Sequence, residues 1–403
     1  MKILHTSDWH LGKSLESINR IEEQREFIDH LCHIAEDESI DLVLIAGDVF
    51  DTYNPSAAAE ELFYDAIDRL NENGRRTVVI IAGNHDNPER LCAASPLARK
   101  KGIILLGYPK SIAEITGMVI DSGSGWMEIK NEGYPYNTVI VTLPYPSESR
   151  LEQVLHGDSD EAGQQKAYSE KIREIITAST SRFRDDTVNV IVSHLFIRGG
   201  RESESERTLQ LGGALSVDPS VFPSNCHIAA LGHLHRPQQI PSEGNNVFYS
   251  GSPLAYSFSE AQHTKAVYIV EAVPGEKADI RARYLDCGKP LRKWYAEAGV
   301  EQAIEWCLEK RDENAWIDLE IETDRIITPE EQKKLRSLNP GIINIRPKLR
   351  TEAAKSEIPK SREGRKIDEL FRDYHRYRTG CDIADELMDA FLAIVNEVEE
   401  ERI

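Results

Sequence analysis

The chain has 403 residues, 40% of them hydrophobic and 29% charged, with a formal net charge of −20. That length holds one large domain with an appendage, or two to three domains, and the composition is that of a folded globular protein rather than a disordered one. No apolar run reaches the roughly 18 residues of a membrane helix, the N-terminus lacks a signal-peptide pattern and points to the cytoplasm, and the acidic balance excludes a passive nucleic-acid coat protein.

The first 285 residues alternate short apolar runs with helical patterns. KILHT is followed by an amphipathic stretch from Arg20 to Ala35, then DLVLIAGD, a second amphipathic stretch from Ala57 to Leu70, and TVVIIAGNHD. This is the rhythm of βαβ units with buried strands, so an α/β fold is expected. Further strand-like runs are NTVIVTLPY, TVNVIVSHLF, HIAALGHLH, NVFYSGSP and AVYIVEA. From residue 286 to 350 the pattern changes. WIDLEIE alternates apolar and acidic residues as a half-exposed strand does. Thr328, Pro329 and Glu331 form a capping-box signature, and GIINIRP reads as another strand, which together predict a small α/β domain with one solvated sheet face. Residues 351–366 read as a linker. In residues 367–403, Ile367, Leu370, Phe371 and Tyr374 share a helix face. A second helix is expected after Asp382, with Ile383, Leu387, Phe391 and Val395. Two amphipathic helices beyond a linker need a cover, from their own domain or from a partner. Cys32, Cys92, Cys226, Cys287, Cys307 and Cys381 form no CxxC pair, so reduced, packed thiols are expected.

The polar clusters stand directly after the apolar runs: DWH (Asp8, His10), GDVFD (Asp48, Asp51), GNHD (Asn84, His85, Asp86), SHLF (His194) and GHLH (His233, His235). Ligands of open α/β sheets gather at the carboxyl ends of strands. Singly, each cluster has a plain explanation: Asp8 as a helix cap, Asn84 as a turn residue, His194 as a hydrogen-bonded ring. Five strand ends with metal-ligand chemistry point instead to one site. Carboxylate, amide and imidazole without thiolate suit Mn²⁺, Fe²⁺ or Zn²⁺. Seven ligands are too many for one ion, and two ions sharing a carboxylate would use them all. His233 and His235, two apart on a strand, would point to the same face.

The order DxH, GDxxD, GNHD, SH and GHxH resembles that of the calcineurin-like metallophosphoesterases. HTSDWHLG, AGDVFDT and AGNHD, with the chain length and the C-terminal parts, resemble the nuclease components of bacterial SbcCD-type complexes. The resemblance implies a four-layer α/β/β/α sandwich, a cap domain and a C-terminal helix pair. It implies that Asp8, His10, Asp48 and His235 hold one metal ion and Asp48, Asn84, His194 and His233 the other, with Mn²⁺ as the expected metal. It gives His85 a catalytic role facing the phosphate. Asp51 either orients His85 or caps the following helix.

The resemblance further implies Mn²⁺-dependent endonuclease and exonuclease action on DNA ends and hairpins in repair and recombination, with an SbcC-type ATPase bound to the terminal helices and a homodimer within a heterotetramer. The chain itself carries no GxxxxGK[ST]. DNA would have to be met by local basic residues, for which Arg90, Arg99, Lys100, Lys101, Arg198, Arg201 and Arg207 are candidates. Leu62, Phe63 and Ile67 are candidates for the dimer face or for ordinary core. A stand-alone phosphodiesterase for small molecules would leave the cap and terminal helices unexplained, and a structural adaptor would not need a complete ligand set.

Overall fold

In the computed structural model the described residues are 1–151, 161–203, 205–206, 216–242, 244, 246–349, 367–379, 383, 387–388 and 390–392. Two sheets carry the larger unit, Met1–Leu291. The first has six strands in the order Asp279–Tyr284, Ala266–Glu271, Lys2–Thr6, Leu42–Ala46, Thr77–Ile81 and Ile103–Leu106. The last four are parallel and the first two antiparallel. The second sheet orders Gln238–Ile240, Val247–Tyr249, Ile228–Gly232, Val188–His194, Asn137–Leu143, Trp126–Lys130 and Val119–Gly123.

The apolar runs are continuous because both faces of these strands are covered. Leu42, Leu44 and Ala46 point into the layer between the sheets with Val190, Val192, Ile228 and Ala230. Val43 and Ile45 face the other way, onto the helices Ile21–Asp37 and Ala57–Asn71. The outer face of the second sheet packs Val141, Ile191 and Leu231 against Ile172 and Ile176 of the helix Glu161–Thr180. The layers are therefore α/β/β/α, as expected. The strands Val119–Gly123, Trp126–Lys130 and Asp279–Tyr284 are additions to the sequence reading.

The second unit spans Arg292–Ile403. The chain divides a few residues after 285 because Lys289 N still donates to Glu23 at 2.6 Å and Gly288 N to Glu26 at 3.2 Å. A three-stranded sheet, Leu291–Ala296, Trp316–Thr323 and Ile342–Leu349, carries the helices Val300–Leu308 and Pro329–Leu338. The capping box is formed: Thr328 Oγ1 accepts from Glu331 N, and the Glu331 carboxylate accepts from Thr328 N. Asp318 departs from the expected solvated face. It is buried, its carboxylate paired with the exposed Arg346 of the neighbouring strand, while Glu320 and Glu322 further along are partly exposed. The helix Ile367–Thr379 is present, and Phe371 stacks on Phe391 with ring centroids 3.7 Å apart. The linker 351–366, Asp382, Val395 and Cys381 lie outside the described residues. The other cysteines are free thiols.

Candidate metal centre

The sequence brings all seven expected ligands to the C-terminal ends of the parallel strands. Backbone strain is concentrated there. Among the described residues, ten non-glycine positions have positive φ, and Asp8 (52°), His10 (47°), Asp48 (49°) and His233 (110°) are four of them. Such conformations cost about 1–3 kcal/mol each and persist where the surroundings hold them. His233 and His235 reach the site from this bend, not from the strand itself, which ends at Gly232. The bend separates them, so that His233 Nδ1 lies 3.0 Å from Asn84 Oδ1, while His235 Nε2 lies 3.0 Å from His10 Nε2. Two glycines permit the close packing of these loops. Gly47 has φ +88°, and a Cβ there would meet His194 Nδ1 at 2.4 Å; a Cβ on Gly83 would meet Asp48 Oδ1 at 2.1 Å.

Two donor sets emerge: Asp8, His10 and His235, and Asp8, Asp48 and His194, each with ligand atoms within 4.8 Å of one another. His10, Asp51 and His85 form a third grouping at the same spacing. Asn84 joins the second set through its 2.9 Å approach to His194 Nε2. Hydrogen bonds fix which nitrogens face inward. His194 Nδ1 lies 2.9 Å from the Ala46 carbonyl, which can only accept, so Nε2 carries the lone pair unless the ring is protonated. That lone pair faces Asn84 Oδ1 and, at 3.5 Å, Asp48 Oδ2. Acceptors crowded against acceptors in a buried site call for a cation.

Without a metal ion, a proton on His194 takes the place of that cation. Burial opposes the His194 imidazolium, but the Asp48 carboxylate outweighs it and pushes the pKa up to about 9. Burial pushes the Asp8 carboxyl up to about 6 despite nearby imidazoles. His10 and His233 are pushed down to about 3 by burial, which keeps them neutral as metal ligands must be. The residues present therefore fit a pair of divalent ions, held by carboxylate, amide and imidazole.

His85 Nδ1 donates to the backbone carbonyl of Asp51 at 2.7 Å, whereas the Asp51 carboxylate stands 3.9 Å from that nitrogen. The carboxylate instead pairs with Lys13 at 2.8 Å and lies 3.4 Å from His10 Nδ1. Burial would raise its pKa, but His10 and Lys13 hold it well below the usual range. Asp51 does not cap the next helix; Ser56 does, accepting from Ala59 N. Asp86 is buried and braces the site by accepting from the backbone N–H of Val49, Phe50 and Gly83.

Sequence reasoning missed Lys13 and Arg150. Arg150 donates to the carbonyls of Gly83 and Asp86 at 2.7 Å and sits over the Tyr145 ring. Its signal was the strand end NTVIVTLPY, which carried no ligand of its own. Of the basic candidates, Arg90 pairs with Glu60, Arg99 with Glu114, Lys101 with Asp68 and Arg198 with Asp218. Arg99, Lys100 and Lys101 precede the strand Ile103–Leu106, at the sheet edge opposite the ligands. Arg201 is exposed, and Arg207 lies outside the described residues. Leu62, Phe63 and Ile67 are core.

Comparison with known families places this centre. The model of the calcineurin-like phosphoesterases matches residues 1–237, and that of a type 5 capsule protein repressor C-terminal domain, SbcD_C, matches residues 287–379. The SbcD component of the nuclease SbcCD from Bacillus subtilis (strain 168) is 43% identical over 402 residues, covering 100% of this chain and 99% of that one. The chain belongs to the SbcD family of calcineurin-like phosphoesterases. A second member, the SbcD component of the nuclease SbcCD from Rhodobacter capsulatus, is 33% identical over 287 residues, 68% of this chain and 67% of that one. Among solved structures, a dimetal phosphatase from Danio rerio matches with a TM-score of 0.40 and 12% identity, over 70% of this chain and 96% of that one. As a member of this family the protein is a hydrolase of the nuclease class, with a divalent-metal centre. No helix among the described residues is long and apolar enough to cross a membrane.

Proposed function

We propose that the protein is a Mn²⁺-dependent DNA endonuclease and exonuclease that hydrolyses phosphodiesters at ends and hairpins in the cytoplasm, working with an SbcC-type ATPase. The observation that supports this reading is the convergence of seven donors, in two groupings that have Asp8 in common and bring Asp48, His194, Asn84 and His233 beside it; Asp48 as the shared ligand is what the family resemblance implies. Asp8, His10, Asp48 and His235 would hold one ion, and Asp48, Asn84, His194 and His233 the other. Bound there, the ions supply charge stabilisation at phosphorus and lower the pKa of water.

The chain's own residues do the rest. His85, its Nδ1 proton fixed on the Asp51 carbonyl, presents Nε2 for proton exchange with the leaving oxygen. Asp51 acts through its carboxylate on Lys13 and His10 and through its carbonyl on His85. Asp48 Oδ1 accepts from His85 N at 2.8 Å, which ties the shared ligand to the catalytic ring.

The second unit is read as a cap domain up to residue 350, a linker over 351–366 and a helix pair from 367. The helix pair keeps Ile367, Tyr374 and Leu387 about half exposed (50%, 56% and 46%), which supports docking on the ATPase coiled coil. A homodimer within a heterotetramer would use exposed apolar residues such as Leu97 and Tyr64 rather than the buried Leu62, Phe63 and Ile67. The test is hydrolysis of an end-labelled DNA hairpin with Mn²⁺ beside a chelated control and bis(p-nitrophenyl) phosphate. Hairpin cleavage lost on chelation is expected; diester hydrolysis with intact DNA, alone and with the ATPase, would overturn the DNA assignment.

A further inference from the structure

Behind His235 lies a buried polar chain that none of the chemistry above uses. Glu260 has no solvent exposure, and Lys265 is nearly as buried. Lys265 Nζ donates to Glu260 Oε2, to Ser252 Oγ at 2.8 Å and to the His235 carbonyl at 3.1 Å. The second Glu260 oxygen accepts from Ser205 Oγ, whose oxygen lies 2.5 Å from His235 Nδ1. Glu206 Oε1 accepts from His235 N at 2.7 Å.

The proton directions in this chain are forced. Glu260 is enclosed and its Oε2 receives the Lys265 ammonium directly, so it stands in this chain as the carboxylate of a buried ion pair. An ionised carboxylate only accepts, so Ser205 must give it the hydroxyl proton. Ser205 Oγ can then only accept from His235, which places the imidazole proton on Nδ1 and the lone pair on Nε2. Nε2 is the atom that meets His10 across 3.0 Å at the metal centre. A buried ion pair adds little net stability, because desolvation offsets the Coulomb gain. Its contribution here is geometric: one residue's tautomer and its carbonyl are both fixed.

We propose that Ser205 and Glu260 are positioning residues that lock His235 in the Nδ1–H tautomer, and that Lys265 sustains them, so that Ser205, on the chain that follows His194, controls one of the two ion sites. Outer partners of metal-bound histidines act in this way and are worth about 10- to 100-fold in metal affinity. The inference rests on the two-ion reading above. It also assigns Ser205 and Glu206, from a loop that reads as a DNA contact, to the metal ligand behind them.

The test is calorimetric titration of the metal-stripped full chain with Mn²⁺, alongside thermal unfolding without metal, for wild type, S205A, S205T and E260Q. The wild type is expected to take up two ions. S205A should weaken one of them about 10- to 100-fold, leave the other unchanged, and melt within about 2 °C of wild type without metal. S205T keeps the hydroxyl and should restore affinity. E260Q should weaken the same ion. Wild-type affinity at both sites in S205A, or equal weakening of both with a lowered metal-free melting point, would overturn the proposal. E260Q that melts lower yet binds both ions normally would overturn it too. If the wild type itself binds no Mn²⁺, the two-ion reading fails rather than the role of Ser205.

Discussion

Replacing Gly83 by alanine puts the packing of the centre to its hardest trial. The added Cβ would lie 2.1 Å from Asp48 Oδ1, 2.3 Å from Asp48 N and 2.7 Å from Asp48 Cγ. Ordinary contact begins near 3.4 Å, so the carboxylate or its backbone must withdraw by about 1 Å. Neither can do so freely. Asp48 already holds a positive φ, and its Oδ1 accepts from His85 N. A displacement of about 1 Å at a reacting centre lowers turnover about 100-fold, equivalent to about 2.7 kcal/mol, while overpacking lowers fold stability by about 1–3 kcal/mol. The assay is Mn²⁺-dependent hairpin hydrolysis at saturating metal, with Mn²⁺ titration and a melting curve in chelator. We expect G83A to remain folded, to bind the shared-ligand ions more weakly and to lose at least about 100-fold in turnover. Turnover within about threefold of wild type with two ions bound would show that Asp48 is not held by this contact.

If His85 has the proposed role of exchanging a proton without holding metal, His85→Ala should retain both ions in titration yet lose about 100- to 10,000-fold in kcat; loss of an ion would reassign His85 to the His10–Asp51 grouping. His5 is fully buried between the sheets with Nε2 3.1 Å from the Leu231 carbonyl, and burial pushes its pKa down to about 3. The folded state then binds fewer protons than the unfolded state below pH 6.5, so this contribution is present above pH 6.5 and is lost as pH falls toward 3, at up to about 1.4 kcal/mol per pH unit. Urea unfolding in chelator should show a shallower acid loss for His5→Gln, and an identical pH slope would refute the argument. Thr328→Ala removes the helix cap in the second unit and should lower that unit's stability by about 1 kcal/mol, read by thermal unfolding, with Mn²⁺ affinity unchanged.

The candidate ligands were legible because their chemistry and their placement after buried strands coincide. Asp8, Asp48, Asn84, His194 and His233 each end an apolar run, and two-sided burial makes such runs conspicuous. The parts that escaped are those whose meaning depends on distant residues. WIDLEIE alternates as an exposed strand does, yet Asp318 is buried because Arg346 stands beside it on the next strand. The pair His233 and His235 fits a shared face on a strand, but φ of 110° at His233 sends the two rings to different partners. Lys13 and Arg150 resemble surface charges in the sequence and become site residues only when Asp51, Gly83 and Asp86 are brought beside them. Conversely, Arg99 and Lys101 are basic and lie near GNHD in sequence, but the connection after GNHD carries the chain away from the site before the parallel strand Ile103–Leu106 returns toward it. Residues preceding Ile103–Leu106 must therefore sit at the far edge of the sheet. Distance along a βα chain thus misleads where distance from a strand's carboxyl end does not. The same rule accounts for Ser205 and Glu206: they follow the Val188–His194 strand, and so return to the edge where His235 already stands.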